Sequence, residues 1–336
     1  MTRALISLGT NTVRLLIVRD ARDGTLEELE HAQTGTRLGE GLRESGTLAP
    51  EAIERTLDAV TAFVARAQRR GAELSAIATS AVRRANDGAA FAERVRAIAG
   101  VPLEILDGET EAAYSFRGAT AGAPCDGSRI AVVDVGGGST ECAVGRNGQP
   151  EKVRSFEIGS VRLAEAFPAL QGAAPGARAR AAAAGARAVA AGVLAGAAEL
   201  GPVDHVRAVA GSPATIAAVA QGSDVERVAG SMLTLQRLDA TLEQLLELNL
   251  EARRALPGML PQRADVIVGG GIVLSETLRA LGTRAAQVER NDLLLGYLLS
   301  KAAAPPGVLS EGVKTVAADG RAFRGMMVES VDTADF

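Results

Sequence analysis

The stretch of residues 130–145, IAVVDVGGGSTECAVG, combines residue types suited to phosphate chemistry. Glycine carries no Cβ, so a phosphate can approach the N–H groups of a Gly136-Gly137-Gly138 turn closely, while the hydroxyls of Ser139 and Thr140 donate from the side. Asp134, one residue ahead of the glycines, is placed to hold a divalent metal or a water beside that phosphate. Alone the pattern is weak, because glycine-rich hairpins are common and most bind nothing.

An echo near the N-terminus strengthens it. Residues 4–18, ALISLGTNTVRLLIV, repeat the layout of apolar run, Gly9, Thr10-Asn11-Thr12 and apolar run. Sliding one segment onto the other pairs Gly9 with Gly136, Thr12 with Ser139, Arg14 with Glu141 and Ser7 with Asp134. Two copies of one hairpin imply two similar domains facing a shared phosphate.

The rest of the chain must position these hairpins. After the first come a strand at 25–38, the loop Arg37-Leu38-Gly39-Glu40-Gly41, and a helix at 50–67 with Ile53, Leu57, Val60, Phe63 and Val64 on one face. A strand at 74–79 ends in Thr79-Ser80-Ala81-Val82-Arg83-Arg84, a polar cluster at the carboxyl end of a strand, where open α/β sheets place ligands. A helix at 87–99 and a strand at 101–106 complete an α/β pattern, giving a first domain of residues 1–120. Asp107-Gly108-Glu109-Thr110-Glu111-Ala112 opens another helix; Glu109 and Glu111 point to different faces, so at least one faces the cleft.

Residues 119–128 read as a hinge to a second domain, 121–302. It opens with the glycine hairpin and adds strands at 151–157, 205–210 and 285–288, with helices at 160–167, 235–250 and 292–301. The Ala-rich stretch 171–200 favours helix, and Arg178, Arg180 and Arg187 along it suit a solvated face better than a polyanion track. Gly211-Ser212-Pro213 opens a helix whose N-terminus would aim N–H groups at an anion. The run 264–268 reads as a strand and Gly269-Gly270-Gly271 as a turn into a helix reaching Leu281, the glycines serving either close packing or a second anion contact. The tail 303–336 is weakly periodic and expected to be poorly ordered.

Composition narrows the function. The 336 residues suffice for two cores, and a formal net charge of −4 with no Trp gives no electrostatic case for nucleic acid. Cys125 and Cys142 form neither a disulfide framework nor a metal knuckle, which fits a reducing compartment. No signal peptide precedes the first strand and no uncharged apolar run approaches membrane length, so a cytoplasmic chain without a membrane partner is expected. His31 and His205 sit in or beside strands and are expected to be structural, and no Walker A lysine or Ser/His/Asp arrangement competes with the phosphate reading.

In order along the chain, LISLGTNTVRLL, RLGEGL, ATSAVRRAND, DGETEAAYSFRG, VVDVGGGSTE, FEIGSVRLAEAF, VAGSPATIAAV and RADVIVGGGIVL resemble the motifs of the exopolyphosphatase and guanosine pentaphosphate phosphatase family, Ppx/GppA, over residues 4 to about 300. The resemblance implies two actin-like, ribonuclease H-like α/β domains of the sugar kinase/Hsp70/actin group with an interdomain cleft. It implies hydrolysis of the terminal phosphate of inorganic polyphosphate or of pppGpp, with Mg²⁺ or another divalent cation, and leaves a homodimer open. Glu111 then matches the family's general base, and Asp134 and Glu141 its acidic pair for metal or water. Arg83 matches a phosphate-contacting arginine, and Thr10, Asn11, Gly136, Gly137, Gly138 and Ser139 the phosphate cradle. The chain departs from the family at Ser7, where an aspartate is usual, which leaves open an active enzyme, a slower one, or a non-catalytic phosphate or nucleotide sensor.

Overall fold

The computed structural model describes residues 1–21, 25–301 and 315–316. In its first half the elements are β1 (Thr2–Leu8), β2 (Thr12–Asp20), β3 (Leu26–Gly35), α1 (Leu42–Ser45), α2 (Pro50–Arg69), β4 (Glu73–Ala78), α3 (Ser80–Arg84), α4 (Gly88–Ala99), β5 (Leu103–Ile105) and α5 (Gly108–Ala119). The second half continues with β6 (Ile130–Val135), β7 (Thr140–Arg146), β8 (Gln149–Phe156), α6 (Ser160–Ala166), α7 (Ala177–Leu194), β9 (His205–Val209), α8 (Gly211–Gln221) and β10 (Met232–Thr234). Then follow α9 (Leu235–Leu246), α10 (Leu250–Arg254), α11 (Ile267–Ala280), β11 (Ala285–Val288), α12 (Leu293–Lys301) and β12 (Thr315–Val316).

The strands form two sheets, ordered β12-β3-β2-β1-β4-β5 and β10-β11-β9-β6-β7-β8. Each has an antiparallel three-strand meander followed by two strands parallel to its first, the same ribonuclease H-like topology twice over. The central strands β1 and β6 are buried almost throughout, as near-continuous apolar runs covered on both faces should be. Two actin-like domains and a cleft between them are therefore present as the sequence suggests. Residues 315–316 pair with β3, and the rest of the tail from 302 lies outside the described residues.

Two helices lock the lobes together. Leu293, Leu294, Leu295 and Leu298 of α12 cluster with Leu5, Leu16, Val18 and Ile77 of the first sheet. Ala112, Phe116 and Ala119 of α5 cluster with Ile130, Val132, Ala143 and Val209 of the second. The helices cross backbone to backbone: a Cβ on Gly118 would lie 1.9 Å from the Asp292 carbonyl oxygen, and one on Gly296 1.8 Å from that of Tyr114. In space the chain thus changes lobe before α5 and returns at α12, whereas composition alone suggests one boundary near residue 120.

Two sequence expectations give way to packing. Residues 267–271 are helical rather than strand and turn, because α11 needs three side-chain-free positions. Cβ atoms on Gly269, Gly270 and Gly271 would lie 2.7 Å from the Ser160 carbonyl oxygen, 2.4 Å from Ser212 Oγ and 2.5 Å from Leu242 Cδ2. The helix expected at 235–250 splits into α9 and α10, with Asn249 capping the second through its side chain. The Ala-rich stretch 177–200 is long and apolar enough to cross a bilayer by length and composition, but Arg178, Arg180, Arg187 and Glu199 interrupt it, so it is not an uncharged run of membrane length. It buries Ala179, Ala183, Ala186, Ala190 and Leu194, and Arg187 on it pairs with Asp239 and Glu276. That arginine tethers α7 to its neighbouring helices and faces no open track.

Candidate active site

The two hairpins meet at the floor of a cleft with about 90 Å³ of room. Their turns are built alike: Gly9 N–H donates to the Thr12 carbonyl at 3.0 Å, and Gly136 N–H to that of Ser139 at 3.1 Å. In register Ser7 faces Arg14 across β1 and β2, and Asp134 faces Glu141 across β6 and β7, so the repeat found in sequence is also one of geometry. Glycine is required here by crowding: Cβ atoms on Gly137 and Gly138 would lie 2.9 Å from Thr10 Cβ and 2.8 Å from Ser80 Oγ. The Gly136 and Gly137 carbonyls accept from the first turn of α6, through Ser160, Val161 and Arg162 N–H. That holds the loop while the Gly137 and Gly138 N–H groups make no backbone bond among the described residues.

Three carboxylates gather behind this floor. Asp107 caps α5 by accepting from Thr110 N–H at 2.7 Å, and Gly108 brings the helix onto Ser155, so the next turn carries Glu111 inward while Glu109 stays exposed. Glu111 Oε2 accepts from Arg83 Nη1 at 3.2 Å, and the same nitrogen donates to the Leu106 carbonyl at 2.7 Å. Burial, then the Asp134 charge, pushes Glu111 up to about 8 against the pull of Arg83. Asp134 accepts from Ser115 Oγ at 2.6 Å and is pushed up to about 6, chiefly by burial and the Asp292 charge. Glu141 accepts from Ser155 Oγ at 2.7 Å, and burial with the charges of Glu111 and Asp134 holds it well above the carboxylate range.

Of the residues expected from sequence, Thr10, Asn11, Glu111, Asp134, Gly136, Gly137, Gly138 and Ser139 line the cleft. Glu141 stands one layer back with a buried, unpartnered Oε2, and Arg83 reaches the cleft through Glu111. The carboxylates are fewer than a protein-built metal cage needs: no group of three or more His, Cys, Asp or Glu among the described residues is arranged to hold a metal ion. Mg²⁺ fits a sparser set, since it keeps several waters and takes one or two carboxylates together with substrate phosphates. Asp134, facing the cleft and charged only against its surroundings, suits that role.

Sequence reasoning did not single out Ser115, Arg14 or Arg263 at the site. Ser115 lies four residues after Glu111, on the same helix face, and that spacing was the available signal. Arg14 forms a two-bond ion pair with Asp292, one arm at 2.9 Å, so the position opposite Ser7 carries a fixed guanidinium. Arg263 is buried on the cleft wall against Gly211, with Nε unpartnered, and burial pushes it down to about 10. Asn11 leaves both side-chain polar atoms buried and unpartnered, as does Ser80 with its hydroxyl. Buried donors without acceptors cost about 1–3 kcal/mol each, and an anion in the cleft satisfies several at once.

Comparison with known proteins bears on the same site. A family model described as the Ppx/GppA phosphatase family matches residues 17–303. Exopolyphosphatase 2 of Mycobacterium tuberculosis is 34% identical over 322 residues, spanning 89% of this chain and 98% of that protein. A guanosine-5'-triphosphate,3'-diphosphate pyrophosphatase of Vibrio vulnificus is 33% identical over 165 residues, 49% of this chain and 33% of that protein. The solved structure of the Aquifex aeolicus PPX-GPPA enzyme superposes with a TM-score of 0.73 at 28% identity, over 90% of this chain and 99% of that one.

Proposed function

The chain belongs to the Ppx/GppA phosphatase family, and we propose that it hydrolyses the terminal phosphoanhydride bond of inorganic polyphosphate, releasing orthophosphate. The observation that carries this reading is Glu111, a buried carboxylate raised to about 8, held by Arg83 at the floor of a cleft lined with unsatisfied anion donors.

In the reaction, water attacks the terminal phosphorus, the bridging P–O bond breaks, and the shortened chain leaves as an oxyanion. Glu111 takes the proton from the attacking water, and a base whose proton affinity lies near neutrality is matched to that task. Arg83 fixes the carboxylate and favours its ionised form. Charge on the transferred group is met by Gly137 and Gly138 N–H, Asn11 and Arg263, and such positioned donors supply most of the catalysis in phosphoryl transfer. Arg14, held by Asp292, adds a fixed positive charge on the first lobe's side. Asp134, held from behind by the Ser115 hydroxyl, would hold Mg²⁺, which when bound neutralises phosphate charge and lowers the cost of ionising the carboxylates.

A second reading, removal of the terminal phosphate of pppGpp, uses the same groups and is favoured by the likeness over 165 residues to a protein named for a guanosine pentaphosphate substrate. Comparing kcat/KM for long-chain polyphosphate and pppGpp in the presence of Mg²⁺ separates the two. Polyphosphate is expected to lead, and a value for pppGpp more than tenfold higher would reverse the assignment. Binding of both without turnover by either would make the protein a sensor, the outcome Ser7 keeps open.

A further inference from the structure

Beside the hairpins lies a second, smaller pocket with about 20 Å³ of room, which displacement of the Glu157 side chain would enlarge. It shares Thr10, Ser80 and Gly138 with the cleft and so adjoins it. Arg43 of α1, Arg84 of α3 and Arg162 of α6 converge on it from three elements. Arg84 Nε and Arg162 Nη1 approach one oxygen, Glu157 Oε2, at 3.1 and 2.7 Å. The Glu157 side chain is 51% exposed, so that pairing is weak and an incoming anion can displace it. On the inner wall Ser80 Oγ is buried without a partner. Glu165, the acid in the wall, accepts from Gly41 N–H at 3.1 Å.

The geometry points to a second phosphate site: a vestibule where Arg43, Arg84, Arg162 and the Ser80 hydroxyl hold a phosphate group outside the cleft that contains Glu111. Guanidinium groups suit this, since their paired N–H donors match phosphate oxygens and never lose their charge. Its role in turnover rests on the hydrolase reading above, whereas its capacity to bind phosphate does not. The phosphate has two sources: orthophosphate released at the floor while the shortened chain still fills the cleft, or a more distal phosphate group of a chain threaded past the turns.

Isothermal titration of inorganic orthophosphate into the full-length protein with Glu111→Gln, which suppresses turnover, tests the site directly. Two phosphates per chain are expected, and Arg43→Ala with Arg162→Ala should remove or weaken one at least tenfold. Glu157→Gln, which frees two arginines without removing them, should tighten the same site and guards against a folding artefact of the double substitution. In the enzyme with Glu111 intact, a tenfold rise in the orthophosphate inhibition constant on Arg43→Ala with Arg162→Ala marks released product as the occupant. A tenfold rise in KM for long-chain polyphosphate, with tripolyphosphate unchanged, marks a threaded chain. A single orthophosphate site that none of these substitutions alters overturns the proposal. Phosphate binding as described by a protein that hydrolyses no phosphoanhydride would instead sustain the vestibule and refute the hydrolase reading.

Discussion

Replacing Glu111 by Gln should stabilise the protein in alkaline solution, and the effect can be worked from the site. Glu111 titrates at about 8 in the folded chain against an ordinary value of 4.5. Below 4.5 both states carry the proton and burial of the neutral carboxyl is unpenalised. Between 4.5 and 8 the unfolded chain releases its proton and the folded chain does not, so stability falls by about 1.4 kcal/mol per pH unit. Above 8 the loss is complete, on the order of 5 kcal/mol as an upper bound, and water entering the cleft around the ionised group brings it nearer ~2 kcal/mol. Gln is neutral throughout, and Arg83 keeps its bond to the Leu106 carbonyl without Glu111. Thermal denaturation of both proteins without divalent cations should give near-equal stabilities at pH 5 and a gain for Glu111→Gln at pH 9, about 4 °C or more in Tm at ~2–4 °C per kcal/mol. Parallel stability curves from pH 5 to 9 would show that Glu111 is not held as a high-affinity proton acceptor.

The remaining expectations concern other links of the chain. Ser7→Asp restores a carboxylate opposite Asp134 and should raise the Mg²⁺-dependent rate on the order of tenfold, or ~1.4 kcal/mol of barrier; an unchanged rate would show that Ser7 does not limit catalysis. Gly296→Ala forces a Cβ to 1.8 Å from the Tyr114 carbonyl oxygen and should cost ~3 kcal/mol or more by calorimetry, whereas Gly192→Ala, exposed with nothing within 4 Å, should stabilise by ~0.5–1 kcal/mol. Equal Tm changes for the two would contradict the helix crossing. Cys142 is buried and its thiol pushed well up, while Cys125 is exposed, so a thiol reagent should modify Cys125 quickly and Cys142 only after denaturation.

Much of the site was legible because its chemistry is local. The hairpin turns announce themselves through glycine and hydroxyl residues at fixed spacing, and the pairing of Ser7 with Asp134 and Arg14 with Glu141 follows from the register of two equivalent hairpins. The inward face of α5 follows from the spacing of its acids and the Asp107 cap. What sequence did not reveal depends on distant partners. Arg263 reads as an ordinary charged residue, and only the packing against Gly211 shows a buried guanidinium without an acid. Gly269, Gly270 and Gly271 resemble the glycines of the hairpin, yet they lie inside α11 because helices α6, α8 and α9 press against it. The crossing of Gly118 with Gly296 is equally silent in sequence, since the two lie far apart along the chain and neither has a positive φ.

The account stands or falls on whether Glu111 activates water for attack on a terminal phosphate. The most direct measurement is orthophosphate release from long-chain polyphosphate with Mg²⁺, by the protein as it stands and with Glu111→Gln, each paired with a polyphosphate binding isotherm. The account predicts steady release that falls at least 100-fold in Glu111→Gln, typical of losing a general base, while polyphosphate binding changes little. Release that survives the substitution, or none from the unsubstituted protein with Mg²⁺, Mn²⁺ or Co²⁺, would contradict it.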